Sequence, residues 1–429
     1  MTILSKLKDF GSSDNVVRRP PFVYTAFRRL LAAADTWDRG QRESWVRERV
    51  CRTLRLAQNL PGYENPQLSD ELSAWPILKK TDIAGREAAF GQSSFLPSYA
   101  AATGGTTGAP LTIRRSARSI SFEQASIDHV CSKADLELGR ARVAILRGDY
   151  VKSPSDMAPP FWRSIGPSKS LFSSFHLSKR TLPHYVAALR DFKPDVLMCY
   201  PSSLQHLLAL LEAGGESIRI GYVLASSESM SPELIRDAQR VLDASIIEYY
   251  GLAERVVFAY SINGRGFEFV PIYGLPELVP DGDGRFRILG TSLWNNRQVF
   301  VRYDTGDFAR VRTMDEAGRR DVEFGLRSFQ GINGRASERI DLPDGRRIIG
   351  LNHIPRGVPG AASVQVYHAD SKLVEVFVVP LNNYGSATES AIHKNFYEKF
   401  PADVTLRILK IEAPIRNSSG KAPLLVTKI

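Results

Sequence analysis

The sequence is poor in cysteine. Its three cysteines, Cys51, Cys131 and Cys199, lie far apart in the chain and are odd in number. They therefore provide neither a disulfide framework nor a zinc-ligand spacing. This usage is typical of a protein in a reducing compartment, so the sequence predicts a cytoplasmic location.

Long apolar runs are also missing. No stretch approaches the roughly 18 residues that a transmembrane helix requires, so no membrane span is predicted. The N-terminal segment MTILSKLKDFGSSD has no apolar core before a small-residue cleavage site, which argues against a secretion signal. Basic residues do not alternate with aromatic ones and no nucleic-acid-binding motif is found, so nucleic acid is not an expected partner.

What the chain has in excess is positive charge. It has 429 residues, is 43% hydrophobic and 24% charged, and carries a formal net charge of +10. This length predicts roughly two to three core-forming units. One explanation of this charge is structural, namely charged helix faces in contact with solvent. The functional interpretation is that the charge attracts an anionic partner: ATP, the phosphates of coenzyme A or an acidic carrier protein. The arginines are densest near the start, at positions 18, 19, 28, 29, 47, 49, 52 and 55.

The middle of the chain alternates apolar strands with helices. This order predicts a parallel sheet with right-handed crossovers, and ligands bind such sheets at the carboxyl ends of the strands. Ser226-Ser-Glu228 and Tyr249-Tyr-Gly-Leu-Ala-Glu254 fall at two of these ends. The predicted elements are a strand at 195–200, a helix from Pro201, a strand at 220–225, a helix after Ser231 and a strand at 246–250.

The flanking segments follow other patterns. Residues 1 to about 40 are basic with a Pro20-Pro21 break, and we interpret them as a partly mobile arm or cap. Short alternating strands over 264–313 predict a small antiparallel sheet. We therefore predict an α/β protein of two domains. Residues 1–333 form a large N-terminal domain with parallel α/β sheets and a small antiparallel sheet, and residues 334–429 form a small, mobile α+β lid.

The most informative segment is the loop Thr103-Gly-Gly-Thr-Thr-Gly108, followed by Ala109 and Pro110. Glycines let backbone N–H groups approach a phosphate closely, and threonine hydroxyls add donors. The loop is not the P-loop of NTPases, because the closing Lys-Ser/Thr pair is missing.

Four further segments follow this loop in a fixed order: Tyr249–Glu254, Arg302–Asp307, Gly334-Arg335 and Arg416–Lys421. Together with the loop they resemble the motifs of the adenylate-forming superfamily of acyl-CoA synthetases, peptide-synthetase adenylation domains and luciferases. The spelling of the loop and the segment Val-Ala-Ile-Leu-Arg-Gly-Asp at 143–149 are similar to the branch with phenylacetate-CoA ligases and CapK-like proteins. The resemblance covers about residues 45 to 425.

This resemblance implies that the protein joins a carboxylic acid to the α-phosphate of ATP with the help of Mg²⁺. Lys421 and Glu254 are implied as catalytic residues, the first as a positive charge and the second as the Mg²⁺ ligand. Tyr250 would stack on adenine, and Asp307 would accept hydrogen bonds from the ribose hydroxyls. The implied ATP-binding residues are Thr103, Gly104, Gly105, Thr106, Thr107, Gly108, Ser227, Glu228, Tyr250, Gly251, Asp307 and Arg335.

The sequence departs from the family pattern at two positions. Ala109 stands where the loop often carries a lysine, which weakens the expected hold on pyrophosphate. Ser337 stands where the family usually has an aspartate at the hinge of the lid, and we predict the hinge there. Some relatives carry a Cys and a His after the Tyr-Gly-x-x-Glu motif. Neither follows Glu254, so no zinc site is predicted in that segment.

The sequence does not identify the acid. We expect Phe175, His176 and Tyr200 to line the acyl pocket, and their aromatic character favours an aryl or apolar acid. His176 is equally well explained as a loop histidine whose hydrogen bonds are satisfied.

The acceptor of the activated acyl group also stays open. Coenzyme A is the usual acceptor in the family, and a carrier-protein thiol and an amine are the alternatives. A homodimer is compatible with each of the three. A nucleotide-binding homologue without catalysis is a different class; Ala109 and Ser337 favour it, whereas Glu254, Asp307 and Lys421 oppose it. A P-loop kinase would release ADP instead of AMP, and this sequence lacks the P-loop motif.

Overall fold

The computed structural model of the chain describes residues 16–426, except 64–68, 93–96, 103–110, 283, 312–314, 334–338, 343, 350, 371 and 418. These residues belong to two compact units, each built from two stretches of the chain. The first unit combines Met1–Gly139 with Ile247–Arg335, and the second combines Arg140–Ile246 with Ala336–Ile429.

The elements follow one another in four groups. Up to residue 139 they are α1 (Pro21–Asp35), α2 (Arg39–Ala57), α3 (Lys80–Ile83), β1 (Ser98–Ala102), β2 (Thr112–Ser116) and α4 (Ala117–Ser132). Next come β3 (Val143–Arg147), β4 (Trp162–Ile165), β5 (Lys169–Ser173), α5 (Leu182–Phe192), β6 (Val196–Cys199), α6 (Pro201–Gly214), β7 (Tyr222–Ser226) and α7 (Pro232–Leu242). The third group is β8 (Ser245–Gly251), β9 (Phe258–Ile262), β10 (Glu268–Phe269), β11 (Gly274–Pro280), β12 (Arg285–Ser292), β13 (Tyr303–Arg310), α8 (Glu316–Glu323) and β14 (Gly331–Asn333). The last is β15 (Arg339–Asp341), β16 (Arg347–Ile349), β17 (Ala361–Asp370), β18 (Leu373–Pro380), α9 (Ser386–Tyr397), β19 (Thr405–Lys410) and β20 (Leu425–Val426).

The start of the first unit corrects the predicted arm. The Pro20-Pro21 pair separates helical residues 16–18 from α1, which begins at Pro21, where the fixed φ of proline suits a helix and its missing N–H is not needed. Phe27, Leu31 and Ala34 lie on one face of α1 and are buried. The ring of Phe27 meets Phe122 of α4 edge-on at 5.1 Å, so residues 21–35 are part of the core.

Three sets of antiparallel strands complete the first unit. Strands β1 and β2 pair with each other. Strand β9 pairs antiparallel with both β8 and β10. Strands β11-β12-β13-β14 form a four-stranded sheet, which confirms the small antiparallel sheet predicted over 264–313.

The second unit contains the predicted parallel sheet. Its strands lie in the order β7-β6-β3-β5-β4, parallel except for β4, which closes the edge antiparallel to β5. The helix signals are confirmed: Pro201 opens α6, Gly215 ends it with φ 63°, and the side chain of Ser231 caps α7 by accepting a hydrogen bond from the Leu234 N–H. The strands and helices of this stretch share one buried apolar core.

The C-terminal stretch of the second unit has a core of its own. Strands β19-β18-β17-β20 form its sheet, and α9 packs on that sheet through Ile392 and Phe396. The mixture of helix and strands predicted for this stretch is therefore confirmed. The boundary between residues 333 and 334 stays a prediction, as does the hinge, because Ser337 lies outside the described residues.

Within the described ranges, none of the helices combines the length and the apolar character needed to cross a bilayer.

Candidate active site

Lys421 lies against the loop after β7 in the second unit. Its Nζ donates a hydrogen bond of 2.9 Å to the backbone oxygen of Ser227. Ser227 has φ 72°, in the left-handed region that a side chain rarely adopts, so the surrounding structure must hold this carbonyl in place. The same Nζ is 5.4 Å from the ring centroid of Tyr200, a favourable cation–π distance.

The turn that carries Lys421 is held by side-chain bonds. Asn417 Oδ1 accepts hydrogen bonds from the N–H groups of Ser419 and Lys421, both 3.1 Å long. Arg416 Nη1 donates to the backbone oxygen of Gly420 at 2.9 Å and to Ser203 Oγ at 3.1 Å. The position of the lysine is thus fixed by both its own turn and α6.

Glu228 is anchored at the N-terminus of α6. Its carboxylate accepts hydrogen bonds from the Ser202 N–H at 2.8 Å and the Ser202 hydroxyl at 3.1 Å. Burial raises the pKa of this carboxyl above its ordinary value, whereas the bonds from Ser202 and the charges of Lys421 and Arg416 oppose the rise. Its role in the adenine pocket stays a prediction, and in the structure it ties α6 to the loop after β7.

Two arginines near this lysine were not singled out from the sequence. Arg147, the last residue of β3, donates through Nη2 to Ser226 Oγ at 3.0 Å and lies 5.7 Å from the ring centroid of Tyr200. Burial lowers the pKa of Arg416 to about 10, and the charge of Glu228 opposes this. The available signal for Arg147 was a cation at the end of the apolar run 143–146.

Several cations lie in this part of the second unit. Lys421 and Arg147 both face the half-buried ring of Tyr200. The charges of Lys421 and Arg416 act on the buried carboxyl of Glu228. Positive groups held in place by the fold favour a negatively charged ligand.

The predicted acyl-pocket residues have different surroundings. His176 is 2% exposed, its Nδ1 lies 2.7 Å from Ser173 Oγ, and its Nε2 lies 3.1 Å from the backbone oxygen of Ser153. Both ring nitrogens thus have partners inside the protein. This agrees with the interpretation of His176 as a loop histidine whose hydrogen bonds are satisfied. Phe175 and Tyr200 are half-buried, and the ring of Tyr200 lies beside Lys421.

The first unit pairs the predicted ribose and adenine residues. The hydroxyl of Tyr250, on β8, donates to Asp307 Oδ2 on β13 at 2.8 Å. Burial raises the pKa of Tyr250 well above its ordinary value, and the charge of Asp307 adds to the rise, so the phenol stays protonated and a donor. Gly251 follows on the same strand, opposite Phe258 of β9.

Glu254 lies in the same unit and is 2% exposed. The hydroxyl of Tyr303 donates to its Oε1 at 2.7 Å, and Tyr303 belongs to the motif Arg302–Asp307 without having been singled out. No group of three or more His, Cys, Asp or Glu side chains arranged to hold a metal occurs among the described residues. A Mg²⁺ ion would fit Glu254 in the way typical of nucleotide sites, with one carboxylate and the remaining ligands from phosphates and water.

Several predicted residues cannot be compared with the structure. The phosphate-binding residues Thr103, Gly104, Gly105, Thr106, Thr107 and Gly108 lie outside the described residues, as do Arg335 and Ser337.

Comparison with solved structures identifies the fold. A 2-hydroxyisobutyryl-CoA ligase in the postadenylation state, in complex with R3-HIB-AMP, matches with a TM-score of 0.62 and 15% identity over 91% of this chain and 90% of that chain. The same ligase in the thioesterification state, in complex with 2-HIB-AMP and CoA, matches with a TM-score of 0.51 and 16% identity, over 91% and 90%. The adenylate-forming resemblance of the motifs is thus confirmed at the level of the fold.

Comparison with known sequences finds one distant, partial relative. No protein-family model matches the chain. Protein CapK of Staphylococcus aureus is 20% identical over 210 residues, which are 48% of this chain and 46% of CapK, so the match spans less than half of that relative. The chain therefore has the fold of adenylate-forming CoA ligases, and this likeness is one of fold alone.

Proposed function

We propose that the protein activates a carboxylic acid with ATP as an acyl-adenylate and then transfers the acyl group to coenzyme A. The observation that carries the proposal is the position of Lys421, whose Nζ lies at the Ser227 carbonyl and beside Tyr200. The fold, which CoA ligases share, agrees with it.

The first step joins two anions. A carboxylate oxygen of the acid attacks the α-phosphorus of ATP, a new P–O bond forms, and pyrophosphate leaves with the electron pair of the broken bond. Lys421 and Arg147 are suited to this step, because fixed positive charges lower the cost of bringing a carboxylate to a phosphate. Arg416 acts as a positioning residue through Gly420, since it holds the turn of the lysine.

The residues of the first unit are assigned to the nucleotide and its metal. Asp307, held by the Tyr250 hydroxyl, would accept hydrogen bonds from the ribose, and Glu254, held by Tyr303, would bind Mg²⁺. Bound Mg²⁺ would neutralise phosphate charge.

The second step needs a different group beside the acyl carbonyl. The thiolate of coenzyme A attacks this carbonyl, a C–S bond forms, and AMP leaves with the electrons of the broken C–O bond. Lys421 must give way to the thiol, which a swing of the lid about Ser337 would achieve. A carrier-protein thiolate would react in the same way. An amine would form a C–N bond instead and lose a proton as AMP leaves.

We further propose that the acid is aryl or apolar, on the warrant of the half-buried aromatic residues Phe175 and Tyr200. The function is tested by ATP–pyrophosphate exchange with a panel of aryl, alkyl and short polar acids. We expect exchange with at least one aryl or apolar acid, and AMP as the nucleotide product. Exchange with none of the acids, or ADP as product, would contradict the proposal.

The acceptor is tested with the acid found in that way. Coenzyme A, a phosphopantetheinylated carrier protein and a set of amines are supplied separately to the preformed acyl-adenylate. We expect coenzyme A to give the fastest loss of the adenylate. A faster reaction with the carrier protein or an amine would identify that acceptor instead.

A further inference from the structure

Two arginines of the first unit lie on the same indole ring, and the function proposed above uses neither of them. The Cζ atom of Arg49, on α2, is 4.4 Å from the ring centroid of Trp294, and that of Arg118, on α4, is 5.2 Å from it. The ring of Phe122 stacks on Trp294 at 3.8 Å and covers one of its faces. The two guanidinium groups therefore share the other face and the rim of the indole, which makes them neighbours.

The charges of this arginine pair are not compensated locally. Among the described residues, the guanidinium groups of Arg49 and Arg118 form no hydrogen bond or ion pair, and Glu48, from the same turn of α2, is engaged by Arg52. Arg118 also lies in the first turn of α4, where the helix macrodipole disfavours a cation. Burial lowers the pKa of Arg49, and the charge of Arg118 lowers it further. An anion bound by both arginines would relieve this repulsion.

An aromatic cavity adjoins the arginine pair. The ring of Trp45 lies 5.9 Å from that of Trp294, 6.3 Å from that of Trp37 and 5.0 Å from the Arg49 guanidinium. Trp37 and Trp45 are half-buried and line a surface cavity of about 470 Å³. Cavities of this size hold small molecules, and indole rings stack on other flat rings. The polar part of the wall comes from Gln41, Ser44 and Glu48.

The platform under this cavity is held rigidly. Trp294 is 5% exposed, and its Nε1 donates a hydrogen bond of 2.8 Å to the backbone oxygen of Ile272. Helix α2, which carries Trp45 and Arg49, is fixed at its start by reciprocal hydrogen bonds between Asp38 and Gln41. A ligand would thus meet a preorganised surface and lose little free energy in ordering it.

We propose that Arg49 and Arg118 bind the phosphate of a phosphorylated aromatic molecule whose ring occupies the cavity beside Trp45 and Trp37. Guanidinium groups present paired N–H donors that match phosphate oxygens, and two of them match the double charge of a phosphomonoester. This is the chemistry of a nucleotide, whose source is a free mononucleotide or the adenosine 3′-phosphate end of coenzyme A. The site goes beyond the proposed function, because the first unit alone forms it, without the residues assigned to ATP.

The test is AMP binding to the full chain, with Asp307→Ala as the background that weakens the predicted ATP site. Calorimetry and tryptophan fluorescence are the readouts, since three of the five tryptophans lie at the proposed site. Relative to AMP in this background, adenosine should bind about tenfold more weakly, and so should AMP after Arg118→Gln or Arg49→Gln, the usual effect of losing a charged hydrogen bond. Arg47→Gln, an exposed residue on another side of α2, is the matched control and should bind AMP like the background.

Several results would overturn the proposal. AMP and adenosine that bind equally well would show that the phosphate is not recognised, and unchanged AMP binding in Arg118→Gln would remove the site. Absence of AMP binding in Asp307→Ala would mean that AMP binds at the predicted ATP site alone. An equal loss in Arg47→Gln would mean general attraction to a basic surface. Arg118 is exposed, so its variant should stay folded, which its melting temperature verifies.

The source of the nucleotide is identified with coenzyme A and dephospho-coenzyme A, which lacks the 3′-phosphate. Tighter binding of coenzyme A that disappears in Arg118→Gln would assign the site to the nucleotide end of coenzyme A. Equal binding of the two, with AMP binding still dependent on Arg118, would assign it to a free mononucleotide. If no acid supports ATP–pyrophosphate exchange, the proposed function fails, whereas AMP binding that depends on Arg118 would still establish this site.

Discussion

Gly148 and Gly420 meet backbone to backbone. A Cβ atom on Gly420 would overlap Cα of Gly148, and a Cβ atom on Gly148 would overlap the backbone oxygen of Ser419. Gly420 also has φ 79°, which favours glycine. The turn that presents Lys421 therefore reaches its position only because two glycines, from the loop after β3 and from the lid, carry no side chains.

The first prediction follows from this contact. Gly148→Ala should push away the turn of Lys421 and lower acyl-adenylate formation by about a hundredfold, comparable to losing a catalytic charge. Thioester formation from a synthetic acyl-adenylate should be affected much less, since it does not need the lysine in this position. The two half-reactions are measured separately.

The control for this variant is Gly385→Ala. Gly385 also lies in the C-terminal stretch, but a Cβ atom there would meet nothing within 4 Å. It should retain both half-reactions. If Gly148→Ala is folded and forms the adenylate at the rate of this control, the contact does not position the lysine.

The second prediction concerns the charge itself. Lys421→Ala should slow adenylate formation by about a hundredfold or more, since one preorganised charge contributes roughly 3 kcal/mol to the transition state. ATP binding should stay nearly intact. Lys399→Ala, an exposed lysine after α9, serves as control. Equal exchange rates in the two variants would rule out the assignment.

The third prediction concerns the ribose. Asp307→Ala should weaken ATP binding by about tenfold or more, because hydrogen bonds to a charged group contribute roughly 1.5–3 kcal/mol. Tyr250→Phe, which removes the hydroxyl that holds Asp307, should weaken it less. Binding is measured by calorimetry with a nonhydrolysable ATP analogue. Unchanged affinity in Asp307→Ala would make this residue a structural partner of the tyrosine.

The fourth prediction concerns the metal. Glu254→Gln should raise the Mg²⁺ concentration needed for half-maximal exchange, because an amide is a weaker ligand than a carboxylate. Tyr303→Phe should cause a smaller shift in the same direction, since the tyrosine only orients the carboxylate. Overlapping Mg²⁺ titrations of the wild type and Glu254→Gln would show that Glu254 does not bind the metal.

The fifth prediction is independent of catalysis. Glu323 of α8 is buried and accepts a hydrogen bond from the Leu278 N–H, and burial raises its pKa to about 7. Its neutral form therefore stabilises the fold at low pH, and this contribution is lost as the pH rises from about 4.5 through about 7. Glu323→Gln keeps the acceptor without the charge, so it should melt higher than the wild type at pH 8 and equally at pH 4.

The control for the pH series is Glu316→Gln, an exposed residue of the same helix. Its melting temperature should follow that of the wild type over the whole range. If the Glu323 variant also follows the wild type, the carboxyl does not titrate as a buried group.

The fold could be predicted where local signals and periodicity agree. Helix α6 has Pro201 at its start and Gly215 at its end, and apolar runs flank it, so its existence and limits follow from the sequence. The antiparallel edge formed by β4 was not predicted, because Trp162–Ile165 alternates weakly and pairs only through tertiary context. Helix α1 was not predicted, because the proline pair was interpreted only as a break, although proline also begins helices.

The candidate site divides in the same way. Motifs suggested Lys421, Glu254 and Asp307 as site residues, but not that Tyr303 holds Glu254 or that Arg147 lies beside Tyr200. The members of each pair are distant in sequence, and only the folded chain brings them together within their unit. A single sequence contains no record of such contacts.

The order in which the two units use the chain also matters during synthesis. The core of the first unit joins its early stretch to the late one: Phe27 of α1 packs on Trp294, and Tyr63 donates to the backbone oxygen of Val299. On the ribosome, the early stretch must therefore wait, with apolar surface exposed, while residues 140–246 are made. The stretch at 140–246 has its own core and is free to fold first, so this protein is expected to fold from its middle outward.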